Sequence, residues 1–442
     1  MTFVCMVVAC GGLLFGFDTA VISGAIGLIN SQFSLDLLQE GWLVSCGLLG
    51  CIVGVLVSGL LSERFGRKKT ILLSALAFLL SAIGCGLAVN IDVLIAARIA
   101  GGVGVGMASV VSPMLIAELA PADRRGRMIA YYQLAITIGI LLAYFSDAFF
   151  LAWSTAHGSH EAWRPMFLAM ALPSLVFVLL LLRIPESPRW LIKMRHGEKA
   201  LAVLRQIRPA DAAAAEYADI QAAAQQKGLE KGRLLTGGLR IPLLIGILLA
   251  VFQQFSGINA IIYYGPGIFE AAGIGGHNAL VFQVIIGVVN MLFTFVAISW
   301  SDKLGRKFLL KAGLTGIIIS LIACGALFYS GHTGGYLLLV LLIVYIACFA
   351  FSLGPVTWII INEIFPTRVR VQAVSICTLA LWIVVWLVGQ FFPWMLHKAG
   401  PALTFWLFAA FSIANFIFSW RIVKETKGKT LEEMEQLFIA PH

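Results

Sequence analysis

Charge is scarce in this chain. Of 442 residues only 12% are Asp, Glu, Lys or Arg, while 60% are hydrophobic. A soluble protein draws about a quarter of its residues from the charged set to cover its surface, so an ordinary soluble domain is excluded. Other absences narrow the function. No Gly-x-x-x-x-Gly-Lys-Ser/Thr loop is present, which removes ATP-driven transport through a P-loop, and no catalytic signature occurs, so an enzyme is not expected. The seven histidines lack metal-ligand spacing, and neither a metal nor a cofactor is expected. The eight cysteines (Cys5, Cys10, Cys46, Cys51, Cys85, Cys324, Cys348 and Cys377) all fall inside apolar runs. They read as small apolar residues and leave no disulfide framework. Positions 1–10 carry no Lys or Arg, unlike the basic start of a signal peptide, so the first apolar run is expected to be a retained helix.

What the chain does have is apolar runs, each long enough to cross a hydrocarbon core of roughly 30 Å as a helix. They lie at 3–29, 41–61, 71–89, 92–119, 128–152, 165–182, 241–269, 279–300, 308–329, 335–362, 372–396 and 402–420. The fold class is therefore an all-α membrane protein of twelve transmembrane helices. The net charge of +9 is not spread evenly: 28 of the 31 basic residues lie in the loops after even-numbered spans and in the C-terminal tail. Arg164 and Lys398 lie on the other side, and Arg98 lies within the fourth span. By the positive-inside rule both termini and the long 183–240 loop are cytoplasmic. The basic excess is a topology signal and calls for no nucleic-acid partner.

The chain repeats itself. Glu63-Arg64-Phe65-Gly66-Arg67-Lys68 after the second span returns as Asp302-Lys303-Leu304-Gly305-Arg306-Lys307 after the eighth. Glu118 with Arg125 at the end of the fourth span returns as Glu363 with Arg370 at the end of the tenth, and Glu186 after the sixth returns as Glu425 after the twelfth. Two six-helix halves of parallel topology follow, packed about an axis along the membrane normal with a site between them near the midplane. The expected domains are an N-terminal bundle over 1–183, a cytoplasmic helical linker over 184–240, a C-terminal bundle over 241–423 and a tail over 424–442.

The repeated motifs carry a resemblance over nearly the whole length. FGFDTAVISG (15–24), RIAGGVGVGMAS (98–109), ELAPADRRGR (118–127), PESPRWL (185–191), QQFSGINAIIYY (253–264), GPVTW (354–358), NEIFPTRVR (362–370) and ETKG (425–428) make the chain similar to the sugar porter family of the major facilitator superfamily, of the bacterial proton–sugar symporter type. The resemblance implies two bundles that rock about a central site and a multi-pass protein of the plasma membrane, for a bacterium the inner membrane. Its expected partners are the lipid bilayer, a monosaccharide (hexose or pentose) and the proton, with the chain acting as a monomer. A passive facilitator, a polyol or inositol symporter and a sugar sensor are the competing readings. It further implies that the paired charges Glu63, Arg67, Glu118, Arg125 and Glu186, with Asp302, Arg306, Glu363, Arg370 and Glu425, hold the cytoplasmic ends together while the site faces outward.

A sugar presents hydroxyls that both donate and accept, so its site needs amides and hydroxyls beside an aromatic surface. Span seven supplies Gln253, Gln254, Asn259 and Tyr263. On an unbroken helix these do not share a face; a break at Ser256-Gly257 would turn them toward one cavity. Amides in membranes also serve as interhelical bonds, but three within seven residues exceed that need. Trp358 follows Gly354-Pro355, a second expected break, and by resemblance packs on the sugar ring. Gln133, Asn290 and Trp382 match further site positions, while Leu381 stands where the family commonly has an amide. Asp18 and Arg98 lie deep within spans, where ionisable groups are costly and functional by default, each the expected partner of the other. The resemblance makes Asp18 the proton-coupling acid. Asp147, near the opposite end of span five, reads as solvated or cavity-lining.

Overall fold

The computed structural model describes residues 2–121, 125–158, 161–226, 239–332, 336–365 and 369–425. Among them there is no strand. The first half holds α1 (Thr2–Ala20), α2 (Ile22–Phe33), α3 (Leu37–Phe65), α4 (Arg67–Gly86), α5 (Ile91–Leu119), α6 (Arg125–Ala156), α7 (Trp163–Ala169) and α8 (Ala171–Arg183). Three short helices follow in the connecting segment: α9 (Pro188–Lys193), α10 (Gly197–Ile207) and α11 (Ala210–Gln226). The second half holds α12 (Arg240–Phe255), α13 (Ile258–Ala271), α14 (Gly276–Leu304), α15 (Arg306–Ser330), α16 (Leu337–Phe351), α17 (Leu353–Glu363), α18 (Arg370–Lys398) and α19 (Pro401–Arg421). Twelve helical stretches are long and apolar enough to span a bilayer, and each coincides with an expected run. The chain is a multi-pass membrane protein. Most helices run past the apolar windows because helical backbone continues through the headgroup region, where polar residues are tolerated.

Four of the spans are built from two helices, and the chemistry of three breaks is explicit. A proline removes its own N–H and its ring clashes with the carbonyl four residues back, so the break lies upstream of it. Pro173 thus separates α7 from α8 at Met170, and Pro355 separates α16 from α17 at Ser352, whose backbone leaves the helical region (φ −124°, ψ −85°). The second of these corrects the expected break at Gly354-Pro355: both residues lie in the first turn of α17. The expected break at Ser256-Gly257 is present, with Gly257 at φ +91°, a conformation that costs glycine nothing. The fourth, at Val21 between α1 and α2, has no proline or glycine at the break itself.

Within the first half, α3 and α5 approach closely. Gly47, Gly50 and Gly54 face Gly102 and Gly106, and a Cβ on Gly102 would run into the Gly47 carbonyl oxygen. Small residues let helix backbones meet where lipid supplies no hydrophobic drive for association. The halves meet along α3 with α18, α6 with α14, and α2 with α13.

Candidate substrate site and charged ends

Gln253 and Gln254 close α12, Gly257 turns the chain, and Asn259 opens α13. The break brings the three amides into one relay. Asn259 Nδ2 donates to Gln254 Oε1 at 2.6 Å, Gln254 Nε2 donates to Gln253 Oε1 at 3.3 Å, and Gln253 Nε2 donates to the carbonyls of Leu353 and Gly354 at 2.7 and 3.3 Å. The relay ends on two carbonyls in the first turn of α17. Gln253 therefore ties two broken spans together, the interhelical role, while Asn259 at the other end is only partly buried. Tyr263, four residues on from Asn259 and so on the same face of α13, is 2% exposed. Gly354 enters the arrangement through its carbonyl.

The remaining expected residues do not join the hydrogen bonds of this relay. Gln133 is half-buried on α6, and Asn290, 7% exposed, lies on α14, the helix that packs on α6 across the halves. Trp358 is half-buried on α17. Trp382 is buried on α18, its ring 5.5 Å from that of Phe15 on α1, a contact between halves. Leu381 beside it is buried.

The supports of the broken span were not visible from its own sequence. Pro266 frees the Ile262 carbonyl and distorts Tyr264 (φ −119°). Gln283 Nε2 donates to the carbonyls of Ile261 and Ile262, and Tyr144 Oη, from the first half, donates to Ile262. Tyr345 Oη donates to the Ser256 carbonyl at 2.9 Å, and Tyr264 Oη to that of Gly389 at 2.7 Å. Pro266 and Gly257 announce freed carbonyls; their donors lie on other helices.

Asp18 and Arg98 are both buried, but they are not the ion pair expected. Arg98 Nη1 donates to the backbone carbonyl of Asp18 at 3.3 Å, and its guanidinium lies 5.8 Å from the Phe167 ring centre. Asp18 falls in the last turn of α1, where carbonyls lack intrahelical donors, and Arg98 serves one of them. The carboxylate faces Gly101, one turn beyond Arg98 on α5, where a Cβ would come within 3.0 Å of Oδ1. Asp147 is not solvated: it is fully buried, with Oδ2 accepting from the Gly24 amide at 3.2 Å in the first turn of α2. That oxygen caps a helix start whose amides lack a helical partner, while Oδ1 is buried without a hydrogen-bond partner among the described residues.

At the charged end the repeat is structural. Gly66 and Gly305 take the same backbone conformation ahead of α4 and α15 (φ +100° and +87°). Glu186 accepts from the amides of Arg67 and Lys68 at 3.0 and 3.1 Å, and Glu425 from those of Arg306 and Lys307, both at 3.0 Å. A carboxylate there satisfies orphan amides and meets the positive end of the helix dipole. Arg67 pairs with Glu118 at 3.1 Å, and Arg306 with Glu363 at 3.0 Å. Arg370 donates to the Phe365 carbonyl, and Glu63 pairs with Lys193 at 3.3 Å among exposed side chains. The side chains of Arg125 and Asp302 lie outside the described residues. The Arg67 and Arg306 ion pairs each run within one half, tying α4 to α5 and α15 to α17.

The sequence of the chain matches the family model described as "Sugar (and other) transporter" over residues 4–438. The chain belongs to the sugar transporter family. Similar family members include the arabinose-proton symporter of Bacillus subtilis, 43% identical over 97% of this chain and 93% of that protein. The D-xylose-proton symporter of Escherichia coli (strain K12) is 37% identical over 98% and 94%. Among solved structures, the proton:xylose symporter XylE bound to 6-bromo-6-deoxy-D-glucose matches with a TM-score of 0.84 at 36% identity, covering 99% of this chain and 98% of that one. The fold is thus that of a major facilitator sugar porter, and a sugar porter is not an enzyme.

Proposed function

We propose that this protein imports a monosaccharide, a pentose above other sugars, together with a proton by alternating access of one central site. The amide relay of Gln253, Gln254 and Asn259 carries the sugar reading: a chain of groups that each donate and accept is what a polyhydroxyl ligand requires, and apolar cargo would leave it unused. The names of the arabinose and xylose symporters supply the pentose preference. Gln133, Tyr263, Asn290, Gly354, Trp358 and Trp382 complete the site, with the tryptophans offering apolar surface to the ring.

Asp18 carries the coupled proton. It is a buried acid deep within a span, where ionisable groups mark proton relays, and water entering from one side or the other sets when the proton leaves. Bundles 1–183 and 241–423 rock as units, joined by the 184–240 linker, with 424–442 as a tail. Glu186 and Glu425 with Arg67, Glu118, Arg306 and Glu363 keep the charged end of each bundle rigid, and Glu63, Arg125, Asp302 and Arg370 belong to the same charged face. The positive-inside asymmetry places both termini in the cytoplasm, and the protein works as a monomer in a bacterial inner membrane. The test is uptake of labelled arabinose, xylose and glucose into proteoliposomes with and without an inward proton gradient. Pentose accumulation that needs the gradient is expected; uptake indifferent to the gradient would leave a passive facilitator, and no uptake of any sugar would overturn the reading.

A further inference from the structure

The bundle ends away from the charged motifs are fastened together differently. On α18, Gln390 reaches across to α3: its Oε1 accepts from Ser45 Oγ at 2.6 Å, and its Nε2 donates to the Leu38 carbonyl at 3.1 Å. Ser45 is fully buried. Gly41, between Leu38 and Ser45, lies so close to α18 that a Cβ would run into the Gln390 carbonyl oxygen. One side chain thus satisfies both its donor and its acceptor on the opposite half, at a point where the backbones are as near as glycine allows. A second cross-half bond, Tyr144 Oη to the Ile262 carbonyl at 3.1 Å, runs from α6 to α13.

We propose that Gln390 is a positioning residue for transport: with Ser45, Leu38 and Gly41 it latches the halves at the end opposite the charged motifs, and its two bonds break each time that end opens. The proposal rests on the alternating access set out above. The bonds exist in the conformer closed at this end and are replaced by water when α3 and α18 separate, so they bias the equilibrium without touching sugar or proton. A ligand or contact shifts a two-state equilibrium only by what it contributes to one state and not the other. Losing two neutral hydrogen bonds shifts the ratio of states by roughly 5- to 150-fold.

Hydrogen–deuterium exchange of the purified full chain reads this without any sugar. In Gln390→Leu, exchange is expected to rise in segments 37–48 and 385–398 and to fall at 62–70, because the population moves toward the conformer closed at the charged end. A loss of packing alone would raise exchange everywhere. Ser45→Ala, which removes one bond from a small buried site and keeps the fold, should move the same segments in the same directions by a smaller factor. Gly41→Ala, which wedges the backbones apart, should move them further. Uniform acceleration, or no change at the charged end in Gln390→Leu and Ser45→Ala alike, would overturn the latch. Because the measurement needs no transport, a failed sugar assay leaves it intact, and a failed latch leaves the sugar reading intact.

Discussion

Substituting Gln254 by Leu tests the amide relay at its centre. Gln254 is 6% exposed, accepts from Asn259 at 2.6 Å and donates to Gln253 at 3.3 Å. Leucine is similar in bulk and has neither function. In the sugar-free protein the change strands one donor of Asn259 and the Gln253 carbonyl oxygen, at about 1–3 kcal/mol for each group left without water. Asn259 is partly exposed and regains a solvent partner, so the larger share falls on Gln253. In the sugar complex the variant also loses any hydroxyl bonded to Gln254, again about 1–3 kcal/mol. The dissociation constant should then rise roughly 5- to 150-fold, and the fold should survive because Gln253 keeps its bonds to Leu353 and Gly354. Calorimetric titration of arabinose and xylose into the purified protein supplies the number. A further step is the cycle with Asn259→Leu: two residues that share a bond and a ligand should give a double variant weaker than wild type by less than the sum of the two losses. Affinity within twofold of wild type in a folded Gln254→Leu protein would mean that the relay is internal bonding and that the sugar binds elsewhere.

Three other outcomes are expected. Arg67→Ala and Arg306→Ala should slow uptake severalfold while sugar affinity changes less than twofold, since each arginine braces helix ends remote from the amides; comparing initial rates with equilibrium binding separates the two. Arg164 donates to Glu161 at 2.8 Å outside the spans and, with that hydrogen bond as the leading cause, holds the Glu161 carboxyl below the usual glutamate range. A lowered acid adds stability above the ordinary glutamate range and loses it as pH falls through the lowered value, so the thermal-stability difference between wild type and Glu161→Gln should be small, present at neutral pH and gone at strongly acid pH. Asp18→Asn should abolish accumulation driven by a proton gradient yet retain counterflow, because the amide mimics the neutral acid; full accumulation would move coupling to another group, with buried Asp147 the next to examine.

The twelve spans were legible because each is a long apolar run, and hydrocarbon thickness imposes one minimum length on all of them. Their breaks were legible only in part. Gly257 marks its own position because its φ is one that other residues avoid. Pro355 marks a break but displaces it, since its effect falls on the carbonyl four residues earlier; reading the dipeptide as the break put it two residues late. Val21 marks nothing. The break after it coincides with an amide in α2 that bonds to Asp147, more than a hundred residues away, and no local pattern encodes that pairing.

The same distinction separates the site residues that were understood from those only named. Charge repeats identified Glu186 and Glu425 but not the groups they bind. The structure gives these acids to backbone amides, because Gly66 and Gly305 open a helix start where a Cβ would crowd the carboxylate. Depth in the membrane singled out Asp18 and Arg98, and opposite sign suggested an ion pair. A carbonyl in the last turn of α1 takes the guanidinium instead. Both cases have one origin. Sequence displays side-chain charge, whereas the unpaired backbone groups at helix ends compete for those charges. A transporter whose spans break in four places multiplies such ends. Its buried charged and amide side chains are therefore to be assigned first to the nearest broken helix and only then to each other.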